Sequence, residues 1–170
     1  MIELSFKIED RQTLQKASFL ADIFGHWYEI REDRHFPDKR NFRPQKFAKF
    51  LPQIAMVTRT AEGTYEDRLT GDMVVEVLRL RQSHSSLTTA TDNYVHDIVH
   101  GMLDATAHAD APMYFKGKFR PEHISPIDFT SLVLPFSHNG APEVLDTIML
   151  AFDFSKHGTI EFGREAHGIA

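Results

Sequence analysis

Two histidines, His96 and His100, form the pattern in this chain that most resembles a metal site. Residues four apart share one face of a helix, so both imidazoles could bind one metal ion. In the zinc-protease motif a glutamate after the first histidine acts as the general base, whereas this chain has the shorter Asp97 there. Helical phase places Val95 and Val99 on the apolar face and turns the histidine pair towards its flank. We therefore predict no catalytic metal, and we interpret the pair as exposed or as flanking the apolar face.

Other charged side chains could bind anions or acidic partners. Arg68, on a predicted strand, could reach a ligand carboxylate or phosphate, although a structural ion pair is the simpler interpretation. Lys116, Lys118 and Arg120 alternate along another predicted strand and could face an acidic partner, although a solvated strand face is the simpler interpretation. The chain has no cysteine, which rules out disulfides, thiolate metal sites and a cysteine nucleophile. Since it also shows no phosphate-binding glycine loop and no nucleophile elbow, we predict that the protein is not an enzyme.

The composition is that of one ordinary globular domain. The chain has 170 residues, of which 42% are hydrophobic, and a mean hydropathy of −0.32. With 24 acidic and 19 basic residues its net charge is −5, so we expect no nucleic-acid partner. No apolar run approaches the roughly 20 residues of a membrane helix, and acidic residues stand where a signal peptide would be basic. We therefore expect a cytoplasmic protein that has no membrane partner.

Apolar spacings of three and four predict helices, and alternation or short apolar runs predict strands. In chain order the predicted elements begin with a leading amphipathic helix (13–31), a short helix (45–51) and a β-hairpin (53–60 with 64–69). A second short helix (73–80), a long helix (93–108) and three strands (113–120, 129–136 and 144–154) follow. The last two strands are apolar on both faces, so both faces of the sheet need cover. Strands at both ends of a helical middle predict an α+β domain with an antiparallel sheet. The structure of residues 78–91 stays open.

Five short motifs occur in order along the chain: WY at 27–28, PDKRNFRP at 37–44, LP at 51–52, RLTG at 68–71 and LPF at 134–136. Together they resemble a family of compact, stand-alone PAS-like proteins common in alphaproteobacteria. Lys39 stands where this family usually has arginine, Asp72 stands where threonine is usual, and residues 78–86 lack the expected glycines. The resemblance implies a PAS-like antiparallel sheet with helices on one face and a leading N-terminal amphipathic helix. It divides the chain into an N-terminal segment with a cap or dimerisation helix (1–36), a PAS-like domain (37–154) and a flexible C-terminal tail (155–170).

The resemblance also implies a sensory or regulatory module that signals through a partner protein. PAS folds hold small ligands between the long helix and the sheet, and the shared apolar phase of helix and strands predicts a pocket there, lined by Val95, Ile98, Met102, Leu132, Leu134, Ile148 and Leu150, with Arg68 as a polar contact. A one-residue slip would reverse the face that a strand turns inward. The alternative is a ligand-free interaction module with a closed core. A third interpretation is a haem or metal sensor that uses a histidine of the long helix, of which His96 lies nearest the apolar face. We expect no cofactor, and the sequence identifies neither the ligand nor the partner.

The leading helix has an apolar side that is too wide for a free surface helix. Its predicted anchors are Leu14, Leu20, Phe24 and Trp27. Docking on the outer face of the sheet would cover part of this side, and a symmetric dimer would bury the rest. We therefore predict a homodimer with these four residues at its interface.

Overall fold

A computed structural model describes residues 1–8, 19–80, 86–89, 93–120, 125–138 and 141–154. Its strands are β1 (Ile2–Lys7), β2 (Ile54–Arg59), β3 (Tyr65–Thr70), β4 (Met113–Phe119), β5 (Ile127–Phe136) and β6 (Thr147–Asp153). Its helices are α1 (Leu20–Arg31), α2 (Asp72–Val77) and α3 (Asn93–Ala109), with two 3₁₀ helices at Lys39–Asn41 and Pro44–Gln53. The strands form one antiparallel sheet in the order β1-β4-β5-β6-β2-β3. This arrangement confirms the predicted α+β fold.

Helices cover both faces of the sheet. We call the face under α3 the inner face, where Val99 and Leu103 pack with Phe115 of β4. The opposite, outer face carries α1, whose Ile23 packs in a second cluster with Met149 of β6. Two helical layers are needed because β5 and β6 are buried along almost their whole length. The described helices lack the length and apolar content that a membrane span requires.

Strand β1 is missing from the elements predicted above, although Ile2, Leu4 and Phe6 alternate with polar residues as in a strand. Among the described strands it lies at the edge of the sheet and pairs with β4 alone. Its apolar side chains are incompletely covered, because Leu4 is half exposed and Ile2 and Phe6 are only partly buried. The N-terminus approaches β4 closely because Gly117 has no side chain, and a Cβ there would collide with the carbonyl oxygen of Met1. Residues 2–7 and 20–31 thus add a strand and a helix to the same layered unit as residues 54–153.

The side chains expected at a dimer interface are buried within their own subunit. Leu20, Phe24 and Trp27 are at most 2% exposed and pack on the outer face of the sheet. Trp27 Nε1 also donates a hydrogen bond to the backbone oxygen of Pro135 at 2.8 Å. Leu14 lies outside the described residues. The assignment of the three described residues to a contact between subunits is therefore wrong, because their own sheet already covers them.

The motifs that carry the family resemblance contact one another. The WY and LPF motifs meet in the bond between Trp27 and Pro135. The PDKRNFRP motif docks beside the end of β5, where Ser137 N donates to Pro37 O at 2.9 Å and Lys39 N donates to Ser137 O at 3.0 Å. The RLTG motif ends in Gly71, which packs directly against the LP motif at 51–52. These contacts indicate that the motifs specify packing rather than a chemical site.

One ion pair lies within the PDKRNFRP motif and a second joins it to the sheet. Asp38, which is 3% exposed, accepts hydrogen bonds from the backbone and guanidinium of Arg40. The bond to the Arg40 side chain, more than any other contact, lowers the pKa of Asp38 to about 2. Lys39 instead binds Asp146, 3.1 Å away beside β6. The lysine that departs from the family pattern is therefore anchored to a second carboxylate.

Candidate functional site

The inner face beneath α3 is the place where the sequence predicts a ligand pocket. Val95, Ile98 and Met102 of α3 are buried in one apolar cluster with Ile148 and Leu150 of β6. The three helical positions recur every three or four residues, which places them on one side of α3. The structure thus brings these predicted pocket residues together.

Leu132 and Leu134 of β5 lie on the outer face, in the cluster that contains α1. In the antiparallel register Leu132 stands opposite Ala151 and Val133 stands opposite Leu150. Paired residues point to the same face, so Leu132 cannot share a face with Leu150. The pocket prediction for Leu132 and Leu134 is therefore wrong. Because β5 is apolar on both faces, its sequence does not indicate which side turns towards α3.

Bulky side chains fill the interface between α3 and the sheet. Phe115, Phe119, Phe129 and Phe152 belong to its cluster, and each is at most 2% exposed. Val95, Val99 and Met102 of α3 are fully buried against this cluster. The part of the inner core that the structure describes is therefore closed.

Ser131 of β5 is a polar side chain within this apolar interface. It is fully buried and stands opposite Phe115 and Phe152 in the register. Its hydroxyl has no hydrogen-bond partner in the described part of the chain. Leaving a buried hydroxyl unpaired costs roughly 1–3 kcal/mol. A water molecule or a ligand group at this point would therefore gain a hydrogen bond.

A row of polar groups joins α3 to the edge strand β3. We call the residues that supply them, Tyr65, Asp67, Thr88, His100 and Asp104, the polar border. The Tyr65 hydroxyl donates to Asp104 Oδ1 at 2.7 Å. The backbone of Thr88 bonds twice: its N–H donates to Asp67 Oδ1 at 3.1 Å, and its oxygen accepts from His100 Nε2 at 2.9 Å. The rings of Tyr65 and His100 meet edge to face, 5.8 Å apart. The border thus ties α3, β3 and the segment 86–89 together.

The protonation state of Tyr65 argues for a structural role. Burial, and then the hydrogen bond to Asp104, raise the pKa of Tyr65 to about 12. The phenol therefore keeps its proton at neutral pH and acts as a hydrogen-bond donor, not as a base. Asp67 Oδ2 is buried without a partner among the described residues. Tyr65 and Asp67 are two positions apart on a strand, and His100 and Asp104 are four apart on a helix, so each pair lies on one side of its element. The sequence does not show that these two sides meet.

The histidine pair does not form a metal site with other described residues. His96 is exposed, and its Nδ1 lies 3.3 Å from Asp97 Oδ1. The His96 and His100 rings stack 4.2 Å apart, and among the described residues no three metal-ligating side chains cluster. His100 is the more buried of the two, contrary to the order expected from helical phase, because β3 and segment 86–89 pack on its side of α3. The side chain of His96 is 49% exposed, which does not fit an axial haem ligand facing the sheet.

The remaining charged candidates make surface contacts. Arg68 Nε donates to Thr58 Oγ1 at 2.8 Å, and its guanidinium lies 3.4 Å from Glu66. Its side chain is mostly exposed, and alternation along β3 turns it away from Tyr65 and α3, so its assignment to the inner pocket is wrong. In the basic stripe, Lys118 binds Asp128 at 3.1 Å. Acidic neighbours therefore neutralise part of that stripe.

Comparison with known protein families agrees with the layered architecture. A family model described as a PAS domain matches residues 15–149, a span that includes α1 and ends within β6. Neither a curated protein nor a solved structure matches the chain.

Proposed function

The chain belongs to the PAS domain family, and from this premise we propose that it is a regulatory module which acts through contact with another protein and not as an enzyme. The PAS family supports a sensory or regulatory role in general terms. The contact with a partner protein is the further step that the packing of this chain favours.

The closed inner core is the observation that carries this proposal. Pockets for small ligands usually have volumes of roughly 300 Å³ or more. The space between α3 and the sheet is instead occupied by phenylalanine and aliphatic side chains, and the polar border closes one side of it. A domain packed in this way offers its surface, rather than its interior, for recognition.

Native mass spectrometry of the full chain tests the closed core. We expect the mass of the bare chain or of whole multiples of it. A stoichiometric extra mass that is lost on denaturation would contradict the closed core and favour a bound ligand.

The partner contact is tested by photo-crosslinking in cells that produce the protein naturally. A crosslinking amino acid at exposed Leu69 or Val144 should give a discrete adduct with one other protein. The same amino acid at His96 on the exposed side of α3 serves as a comparison between surfaces. A survey of exposed positions on every face that gives no discrete adduct would overturn the proposed partner contact.

A small-ligand sensor is the second candidate, and two buried oxygens favour it. Ser131 Oγ and Asp67 Oδ2 have no hydrogen-bond partner in the described part of the chain, and Ser131 lies under α3. A ligand that bonds to Ser131 would be retained by the native protein and lost from the Ser131→Ala variant. If the extra mass persists in that variant, the ligand is not bound through Ser131.

A homodimer in solution stays a prediction. Since Leu20, Phe24 and Trp27 are covered by their own sheet, the dimer would use another surface. Multi-angle light scattering at micromolar concentration should give twice the 19.5 kDa chain mass. A stable monomer would refute the dimer without affecting the proposed regulatory role.

A further inference from the structure

A surface cavity lies at the C-terminal end of α1, and we call it the α1 cleft. Its walls are the end of α1, the end of β1 and the turn that follows α3. The polar side chains that line it are Lys7, Tyr28, Arg31, His35 and Asp110. Its volume is about 360 Å³, which lies in the range of small-molecule sites. The α1 cleft is separate from the interface between α3 and the sheet.

Arg31 is held over the aromatic wall of the α1 cleft. Its guanidinium carbon lies 5.1 Å from the ring centre of Tyr28 and 5.7 Å from that of Trp27. These contacts orient the guanidinium without using its N–H donors. Within the described residues its Nε is buried and has no hydrogen-bond partner. An arginine that is oriented but not hydrogen-bonded can offer its terminal N–H groups to a carboxylate or phosphate.

The charges around the α1 cleft favour an anion. Lys7 is exposed at the end of β1, and Arg31 adds a second positive charge. Asp110 carries a negative charge, and its Oδ2 lies 2.6 Å from His35 Nε2. The two positive charges of Lys7 and Arg31 therefore outnumber the one negative charge among these lining residues.

The backbone at two borders of the α1 cleft is strained. Glu32, which ends α1, has φ 55° and ψ −123°, and Asp110, which follows α3, has φ 57°. Non-glycine residues rarely adopt positive φ, and such conformations persist where the surrounding structure enforces them, often at binding sites. The floor is fixed by the bond from Ile8 N to Pro112 O at 2.9 Å. The walls of the cleft are thus held in position before anything binds.

We propose that the α1 cleft binds a small anionic compound, whose carboxylate or phosphate group is held by Arg31 and Lys7. The cleft is concave and has the volume of one small molecule, which favours such a compound over the surface of a partner protein. The anion lies between the Arg31 fork and the Lys7 ammonium, and Tyr28 covers the guanidinium from the side. This site goes beyond the proposed protein contact and does not depend on it.

Amide NMR spectra of the full chain, titrated with inorganic phosphate and separately with succinate, test the site. Chloride keeps the ionic strength constant in both series. We expect saturable shifts at residues around Arg31 and Lys7, and the tighter of the two probes identifies the preferred anion. Shifts that do not saturate, or that the chloride control reproduces, would overturn the proposal.

Variants separate specific binding from general charge attraction. Arg31→Gln should weaken the tighter probe at least tenfold, whereas Arg68→Gln, which removes an exposed arginine from β3, should leave its binding unchanged. If Arg31→Gln does not fold by circular dichroism, exposed Lys7→Gln and the conservative Arg31→Lys decide. Each should weaken binding severalfold: Lys7→Gln removes a positive charge, and Arg31→Lys keeps the charge but loses the planar set of guanidinium N–H donors. Unchanged binding in both variants would refute the site.

Discussion

Gly71 and Gly101 should respond in opposite directions to the same change, a single added methyl group. Gly71 precedes α2 with φ −63° and ψ 150°, a conformation that any residue can adopt. Glycine is needed there for space alone: a Cβ would lie 2.5 Å from the carbonyl oxygen of Leu51 and closer still to that of Pro52. These neighbours are backbone atoms, which cannot rotate away as a side chain would. Gly71→Ala must therefore push α2 away from the LP motif.

The size of the effect follows from three terms. Overpacking costs about 1–3 kcal/mol, and displacement of the bond from Gly71 N to Ile54 O, now 2.8 Å, costs about 1 kcal/mol more. Lower entropy of the unfolded chain offsets about 0.4–1 kcal/mol. We therefore expect Gly71→Ala to reduce the free energy of unfolding by about 2–3 kcal/mol, which lowers Tm by about 4–12 °C in a domain of this size.

Gly101→Ala is the matched control. Gly101 lies on the exposed side of α3, and nothing is within 4 Å of its Cβ position. Alanine is favoured over glycine inside a helix by about 0.8–1.0 kcal/mol, so Gly101→Ala should raise Tm by about 2–4 °C. Urea titrations followed by circular dichroism give both free energies of unfolding. If Gly71→Ala is as stable as the original chain, the close approach of α2 to the LP motif is refuted.

Three further predictions concern single side chains. His26 Nε2 accepts a hydrogen bond from Arg43 N at 3.0 Å, and burial, the largest cause, lowers the pKa of His26. The unfolded chain thus binds the proton more readily, so the stability due to neutral His26 is complete above its ordinary pKa of 6.5 and is lost as the pH falls below it. Between pH 7.5 and 5, the Tm of the original chain should therefore fall more steeply than that of His26→Gln. Equal slopes would count against this role. Trp27→Phe removes the donor to Pro135 O and part of a buried ring, so we expect the free energy of unfolding to fall by about 2–4 kcal/mol. A loss below about 0.5 kcal/mol in urea titrations would show that the hydrogen bond of the indole contributes little. Arg68→Met should change the free energy of unfolding by less than about 0.5 kcal/mol, since exposed pairs contribute little; a large loss would contradict its surface placement.

The secondary structure could largely be predicted from the chain itself. The α3 helix follows from its apolar spacing, and β2 and β3 follow from two short runs that flank a turn at Gly63. The order of helices and strands then restricts the fold to an α+β domain. The absence of cysteine excludes thiol chemistry whatever the fold is. These conclusions need only local periodicity and residue chemistry.

Tertiary structure alone decided the faces and the contacts between distant residues. Strand β5 is apolar on both sides, so only its register with β6 shows that Leu132 points to α1 and Val133 to α3. The polar border joins Tyr65 to Asp104, 39 residues further along the chain, and the α1 cleft places Arg31 near Asp110. Residue spacing within a helix or strand shows which side chains share a side, but not which sides meet. That choice depends on the free energy of packing the whole sheet between its two helical layers, and it is not contained in any one segment of the chain.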